Sequence, residues 1–279
     1  MRGGGWMWFA ALAVTLLAAV WQRMSGPTYP ARGEASVGSS TVRFRLLRSG
    51  ETGAPLPVHL HVPDRDIAGA VAWRRYPTSE PWRVVPLTRE GDALTTSLPS
   101  QPPAGKVEYQ VRLRDGSMST VFPPRPAVAR FKGRVSPLVL LPHILLMFTG
   151  MLLANRTGLE ALVPRPRIRK LAWATLATIS VGGLVLGPAV QKAAFGAWWT
   201  GFPYGIDLTD NKTAIAAAVW AFAVWRLRRE TKGRVAVGVA ALVTLAVFSI
   251  PHSTWGSEIR WDEAAPAPAA AAPAPARQP

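Results

Sequence analysis

VSPLVLLPHILLMFTGMLLA, residues 135–154, contains no Asp, Glu, Lys or Arg, and His143 is its one ionisable side chain. A bilayer's hydrocarbon core is crossed by about 20 predominantly apolar residues of helix, so this stretch reads as a membrane span. Working outward, 171–190 and 235–251 are equally free of charge. The run 211–227 becomes long enough when its terminal Arg side chains extend toward water. Residues 1–22 form a fifth apolar segment, with Arg2 in front and Trp6, Trp8 and Trp21 bracketing it. It reads as an uncleaved signal anchor, with a cleaved signal peptide as the alternative. Either form sends the chain that follows across the membrane.

Lys/Arg-rich short links stay on the cytoplasmic side. The link 155–170 carries Arg156, Arg165, Arg167, Arg169 and Lys170 against Glu160. The link 226–234 carries Arg226, Arg228, Arg229, Lys232 and Arg234 against Glu230. The N-terminus is therefore expected in the cytoplasm, and residues 22–134, the 191–212 loop and the C-terminal tail outside it. The setting implied is a bacterial inner membrane crossed several times, with a periplasmic domain.

Composition agrees. Of 279 residues, 49% are hydrophobic and 17% charged, with 32 Lys+Arg against 16 Asp+Glu. Ordinary globular chains carry roughly 25% charged residues. The excess of +16 divides into +9 on the inner segments, +8 on residues 23–134 and −1 on the remaining outer segments. More than half of it serves orientation, and the compartment excludes nucleic acid as the partner. An acidic partner or anionic lipid headgroups fit better. The chain has no cysteine, which excludes a disulfide framework.

Residues 23–134 change to alternation. Candidate strands lie at 41–47, 58–62, 70–75, 83–87, 94–98, 106–113 and 119–122, separated by turns such as Glu90-Gly91-Asp92 and Asp115-Gly116. Short strands at about 8–12-residue spacing predict a β-sandwich. The stretch from Trp73-Arg74-Arg75-Tyr76 through Gly91-Asp92 to Val107-Glu108-Tyr109-Gln110-Val111 resembles immunoglobulin-like or fibronectin III-like envelope modules. That resemblance implies architecture and a partner-binding or spacer role. His59 and His61 share one strand face and read as solvated residues, with a metal site that takes a third ligand from another strand as the alternative.

The expected fold class is thus an α+β membrane protein. It has a signal-anchor helix over 1–22 and an external immunoglobulin-like β-sandwich over 23–134. A four-helix transmembrane bundle over 135–262 follows, then a disordered Ala/Pro tail over 263–279.

The outer loop holds the candidate chemistry. Phe195-Gly196-Ala197-Trp198-Trp199-Thr200-Gly201-Phe202-Pro203-Tyr204 is dense in aromatics, and Asp207, Asp210 and Thr213 open the next helix. An aromatic belt at headgroup level accounts for part of this. His143 and His252 are expected toward the same outer leaflet, and ionisable groups at membrane depth are functional hypotheses by default. A tryptophan-rich external loop flanked by spans that each offer a histidine is similar to the haem-handling proteins of cytochrome c assembly. The resemblance implies an aromatic platform from Trp198 and Trp199, with Gly196, Asp207 and Asp210 at the matching loop positions. His143 and His252 would then be the ligands to haem iron. Porphyrin favours apolar surface, and imidazole suits iron. Counting from Arg134, His143 lies about 13 Å along its span.

Two other classes use the same region. The chain can be a non-catalytic scaffold or assembly factor whose β-sandwich recruits an envelope partner. Or Asp207, Asp210, His252 and Glu258 converge as ligands of a metal-dependent hydrolase at the periplasmic face. No Ser/His/Asp set, Cys nucleophile or nucleotide-binding Gly loop is present, so a non-enzyme is favoured. Gly183 and Gly187 form a small-xxx-small pattern for close helix packing.

Overall fold

The computed structural model describes residues 4–163, 168–227, 230–252, 256, 259 and 261. It is a mixed α+β protein in which sheets and apolar helices form two packed regions. Glu258, the 263–279 tail and the link residues Arg165, Arg167, Arg228 and Arg229 lie outside the described residues.

The β region begins with a hairpin of β1 (Ala31–Val37) and β2 (Ser40–Leu46). A five-stranded sheet has the order β3 (Ser49–Glu51), β10 (Met118–Lys132), β9 (Lys106–Asp115), β5 (Ile67–Tyr76) and β6 (Arg83–Pro86). A three-stranded sheet orders β4 (Leu56–His61), β8 (Ala93–Leu98) and β7 (Thr88–Glu90). Strict alternation puts Leu56, Val58 and Leu60 inside and His59 and His61 outside, the period-2 geometry of a strand with one buried face. One apolar core joins all three sheets and includes Phe44, Val71, Leu94, Tyr109 and Phe131. The fully buried Tyr109 donates its hydroxyl to Leu47 O at 2.7 Å, so its polar end is satisfied. Burial pushes the Tyr109 phenol well above its ordinary pKa.

The predicted strands recur with shifted ends, and β1, β3 and β7 are additional. β10 runs ten residues past the expected stop at Phe122, and its pairing with β9 breaks between Phe122 and Ala127. That break coincides with Pro123, Pro124 and Pro126, which have no N–H to give a ladder.

The helices are α1 (Gly5–Ser25), α2 (Pro137–Glu160), α3 (Ile168–Ile179), α4 (Gly187–Phe195), α5 (Leu208–Arg226) and α6 (Glu230–Ser249). A π-helical segment, Ser180–Leu186, joins α3 to α4 in one continuous rod. Among the described residues, three helical rods are long and apolar enough to cross a membrane: Gly5–Ser25, Pro137–Glu160 and Ile168–Phe195. α5 is Ala-rich and carries Asp210 and Lys212 in its first turns, while the apolar part of α6, Gly233–Ser249, is shorter.

The first helix does not stand apart from a four-helix set. α1 packs on α2 and α6, and Ala18 joins the apolar cluster that holds Ala154, Trp220 and Val237. Asn155 of α2 donates to Thr15 of α1 at 3.0 Å, and Trp220 donates to Thr244 at 2.8 Å. Arg156 and Glu160, read from sequence as link charges, lie on the last turns of α2 as a buried ion pair with Arg156 over the Trp8 ring. Arg234 donates to Ala161 O and Val163 O and so clasps the α2–α3 link. These cations therefore hold helices together in addition to any role in threading.

Antiparallel helices gather five ends beside the β region: the end of α1, the start of α2, the end of α4, the start of α5 and the end of α6. Gly133 N donates to Ala194 O at 2.8 Å, and Gln22 Nε2 donates to Phe248 O at 2.6 Å. Lys212 Nζ donates to Ile250 O at 2.7 Å.

Candidate functional site

The site begins with the backbone of the π segment. Gly182 O accepts the Gly187 N–H of the widened turn, and it also bonds His143 Nδ1 at 2.8 Å. With His143 in the tautomer that donates from Nδ1, the Nε2 lone pair is free. This is the arrangement by which metal-binding histidines are oriented from behind. His143 lies six residues into α2, about 9 Å along the helix at 1.5 Å per residue. The close approach needs glycine. A Cβ at Gly182 would meet Leu146 Cβ at 2.8 Å, and one at Gly183 would meet Thr213 Cγ2 at 2.3 Å. The tight position of the predicted small-residue pair is thus Gly183; a Cβ at Gly187 would find ordinary space.

His143 opens onto a cavity of about 150 Å³ between α1, α2, α5 and α6. His252 lines the same cavity, as do Lys212 and Thr213. Met147, Phe148, Met151 and Phe248 supply apolar walls, and Gln22 of α1 closes one side. Two histidines 109 positions apart are therefore brought together by the return of α6 to the level of the start of α2.

His252 keeps accessible surface even though protein crowds it on most sides, as a ring on a cavity floor does. That crowding, followed by the charges of Lys212 and His143, holds its imidazole down at about 4. Asp207 opposes the shift more weakly. Below-normal basicity keeps the ring neutral at physiological pH, the form that ligates a metal. Lys212 is 2% exposed, and among the described residues it forms no salt bridge; its ammonium rests on Ile250 O.

The aromatic loop lies elsewhere. Asp210 Oδ2 accepts from Thr200 N at 2.6 Å, Gly201 N at 3.0 Å and Gln191 Nε2 at 3.0 Å. Asp207 Oδ1 caps α5 by accepting from Thr209 N at 2.8 Å. Asn211 Oδ1 accepts from Phe202 N at 2.7 Å. Each of these side chains is committed to folding residues 199–211. Trp199 Nε1 donates to Phe202 O at 3.1 Å, and Trp198 is 60% exposed. Neither tryptophan lines the cavity, and neither Asp207 nor Asp210 does.

Of the expected site residues, the structure therefore unites His143 and His252 and separates them from Trp198, Trp199, Asp207 and Asp210. Among the described residues, no group of three or more His, Asp or Glu could hold a metal ion. Met147 and Met151 also line the cavity, and their spacings of four and eight from His143 put them on one helix face. Lys212 lines it too, although its place in the first turns of α5 reads as an ordinary solvated charge. Comparison with protein-family models, curated proteins and solved structures finds no match for this chain.

Proposed function

We propose that this chain is a multi-pass bacterial inner-membrane protein that binds haem through His143 and His252. The single supporting observation is the convergence of these two imidazoles on one cavity with apolar walls. The N-terminus lies in the cytoplasm, and residues 22–134 and the C-terminal tail lie in the periplasm. In this reading α5 and α6 also span, and the β region is an immunoglobulin-like sandwich.

The residues fit haem in part. A hydrogen-bonded His143, a neutral His252 and walls of Met and Phe suit a porphyrin iron centre. The Trp198–Trp199 platform implied by the cytochrome c assembly resemblance does not meet them, so the flat apolar surface would come from α2 and α6. The cavity falls below the roughly 300–1,000 Å³ of sites for drug-sized ligands. His143 and His252 would hold the group, with Met147, Phe148, Met151 and Phe248 beside it. When bound, the group would supply electron-transfer chemistry tuned by its two imidazole ligands.

The test is a haem assay on detergent-purified protein expressed with ample haem. One haem per chain, lost in both His143→Ala and His252→Ala, is the expected result. A haem-free protein overturns the reading. A second reading, a scaffold that recruits an envelope partner, is favoured by β6, an open sheet edge on which Val84 is 56% exposed.

A further inference from the structure

Three cavities besides the histidine site surround the connection from α1 to β1, and their walls share residues. The first, about 310 Å³, is lined by Arg23, Thr28, Ser49, Arg130, Lys132 and Phe195, and it meets the histidine cavity at His252. The second, about 190 Å³, shares Thr28 and Arg130 with it and adds Arg48, Tyr76 and Lys106. The third, about 570 Å³, shares Arg48 with the second and continues along Trp21, Ala246, Ile250 and Pro251. Five cations line this chain of cavities, of which Arg130 also donates to Gly256 O at 3.4 Å.

The cations are held in place by the fold. Arg130 is 7% exposed on β10, stacks 4.0 Å over the Phe195 ring and donates its backbone N–H to Arg48 O at 3.2 Å. Arg23 is fixed by Thr28 Oγ1 at 3.3 Å and lies over the Tyr29 ring. Arg48 Nε is buried with no hydrogen-bond partner. A buried guanidinium donor without an acceptor is destabilising. Two acids stand near the cations in register: Glu51, opposite Lys132, is engaged by Arg134 at 3.5 Å, and Glu108, opposite Val128, by Arg74 at 2.6 Å. Burial lowers the Arg48 guanidinium pKa, the direction for a cation short of compensating charge.

We propose that these cavities form one chamber that binds a phosphate group, carried by an anionic phospholipid of the outer leaflet. The phosphate sits between Arg48 and Lys132, where charge-assisted hydrogen bonds to cationic side chains are strongest. The apolar slot between Trp21 of α1 and Ala246 and Ile250 at the end of α6 takes the start of an acyl chain. That slot is what distinguishes a lipid from a free phosphate. The chamber rests on the membrane reading and is independent of haem.

The experiment is thermal unfolding of the full chain in neutral detergent, without added haem, titrated with phosphatidylglycerol, phosphatidylcholine or inorganic phosphate. Phosphatidylglycerol raises the midpoint, and the other two leave it unchanged. Arg48→Gln weakens the response about tenfold, the scale of one charge-assisted contact. Arg23→Gln with Lys132→Gln, both on exposed side chains, does the same should the Arg48 variant fold poorly. Arg114→Gln, an exposed cation on β9, leaves it intact. An equal response to phosphatidylcholine, or variants that match Arg114→Gln, overturns the chamber. A response to inorganic phosphate equal to that for phosphatidylglycerol overturns the lipid assignment. Loss of this response leaves the haem assay untouched, so the two proposals fail separately.

Discussion

Asp210 and Lys212 stand two residues apart at the start of α5, and both are almost wholly buried. Asp210 spends its capacity on the loop, accepting from two backbone N–H groups and Gln191. Lys212 makes one bond, to the end of α6, and lines the histidine cavity. The same contrast separates the aromatic loop from the cavity as a whole. In the loop the carboxylates are consumed in folding; at the cavity His143 Nε2, the His252 ring and the Lys212 ammonium keep capacity for a ligand. Proximity in sequence says little about which polar groups serve a site. The hydrogen bonds already made say more.

Breaking the loop should cost most. Asp210→Ala leaves the Thr200 and Gly201 N–H groups without their charged acceptor, so unfolding in detergent should be easier by about 3 kcal/mol. A change within experimental error would show that the loop does not depend on this carboxylate. Gly183→Ala comes next. Its methyl must displace Thr213, a clash of the overpacking kind worth about 1–3 kcal/mol. Haem content should fall with it, since Thr213 lines the cavity. Acidification sharpens the comparison from the other side. His252, held at about 4, stays neutral over roughly pH 5–8, so its ligation should be constant there and fail only as pH falls through that value. A titration near its ordinary pKa, followed by NMR of labelled imidazole, would contradict the crowded cavity floor. Trp198→Ala should do least: below about 0.5 kcal/mol in stability, as for other exposed positions, with haem content unchanged. A loss of haem there would restore the tryptophan platform and dissolve the contrast.

Much of the fold is legible in the residues. Alternation in LPVHLH marks β4 with its inward face, and uncharged runs mark α1, α2 and the α3–α4 rod. β1 escapes because ARGEASV has only Ala35 and Val37 to bury, and the Cβ-less Gly33 lies where the Phe44 ring packs. The second half of β10 escapes because its prolines look like a stop. Its pairing resumes at Ala127 after them. The π segment has no local signature beyond Gly182-Gly183, so the backbone carbonyl that orients His143 could not be foreseen. Charge counting reads Arg156 and Arg234 as orientation signals and misses that both are internal clasps, because burial depends on neighbours far away in sequence.

The most direct test of the paired-histidine site is electron paramagnetic resonance of the ferric haem-loaded protein, comparing wild type with His143→Ala and His252→Ala. Two axial imidazoles predict a six-coordinate low-spin signal in the wild type that each single substitution converts to high spin. A low-spin signal that survives either substitution would mean that the two histidines do not share one iron.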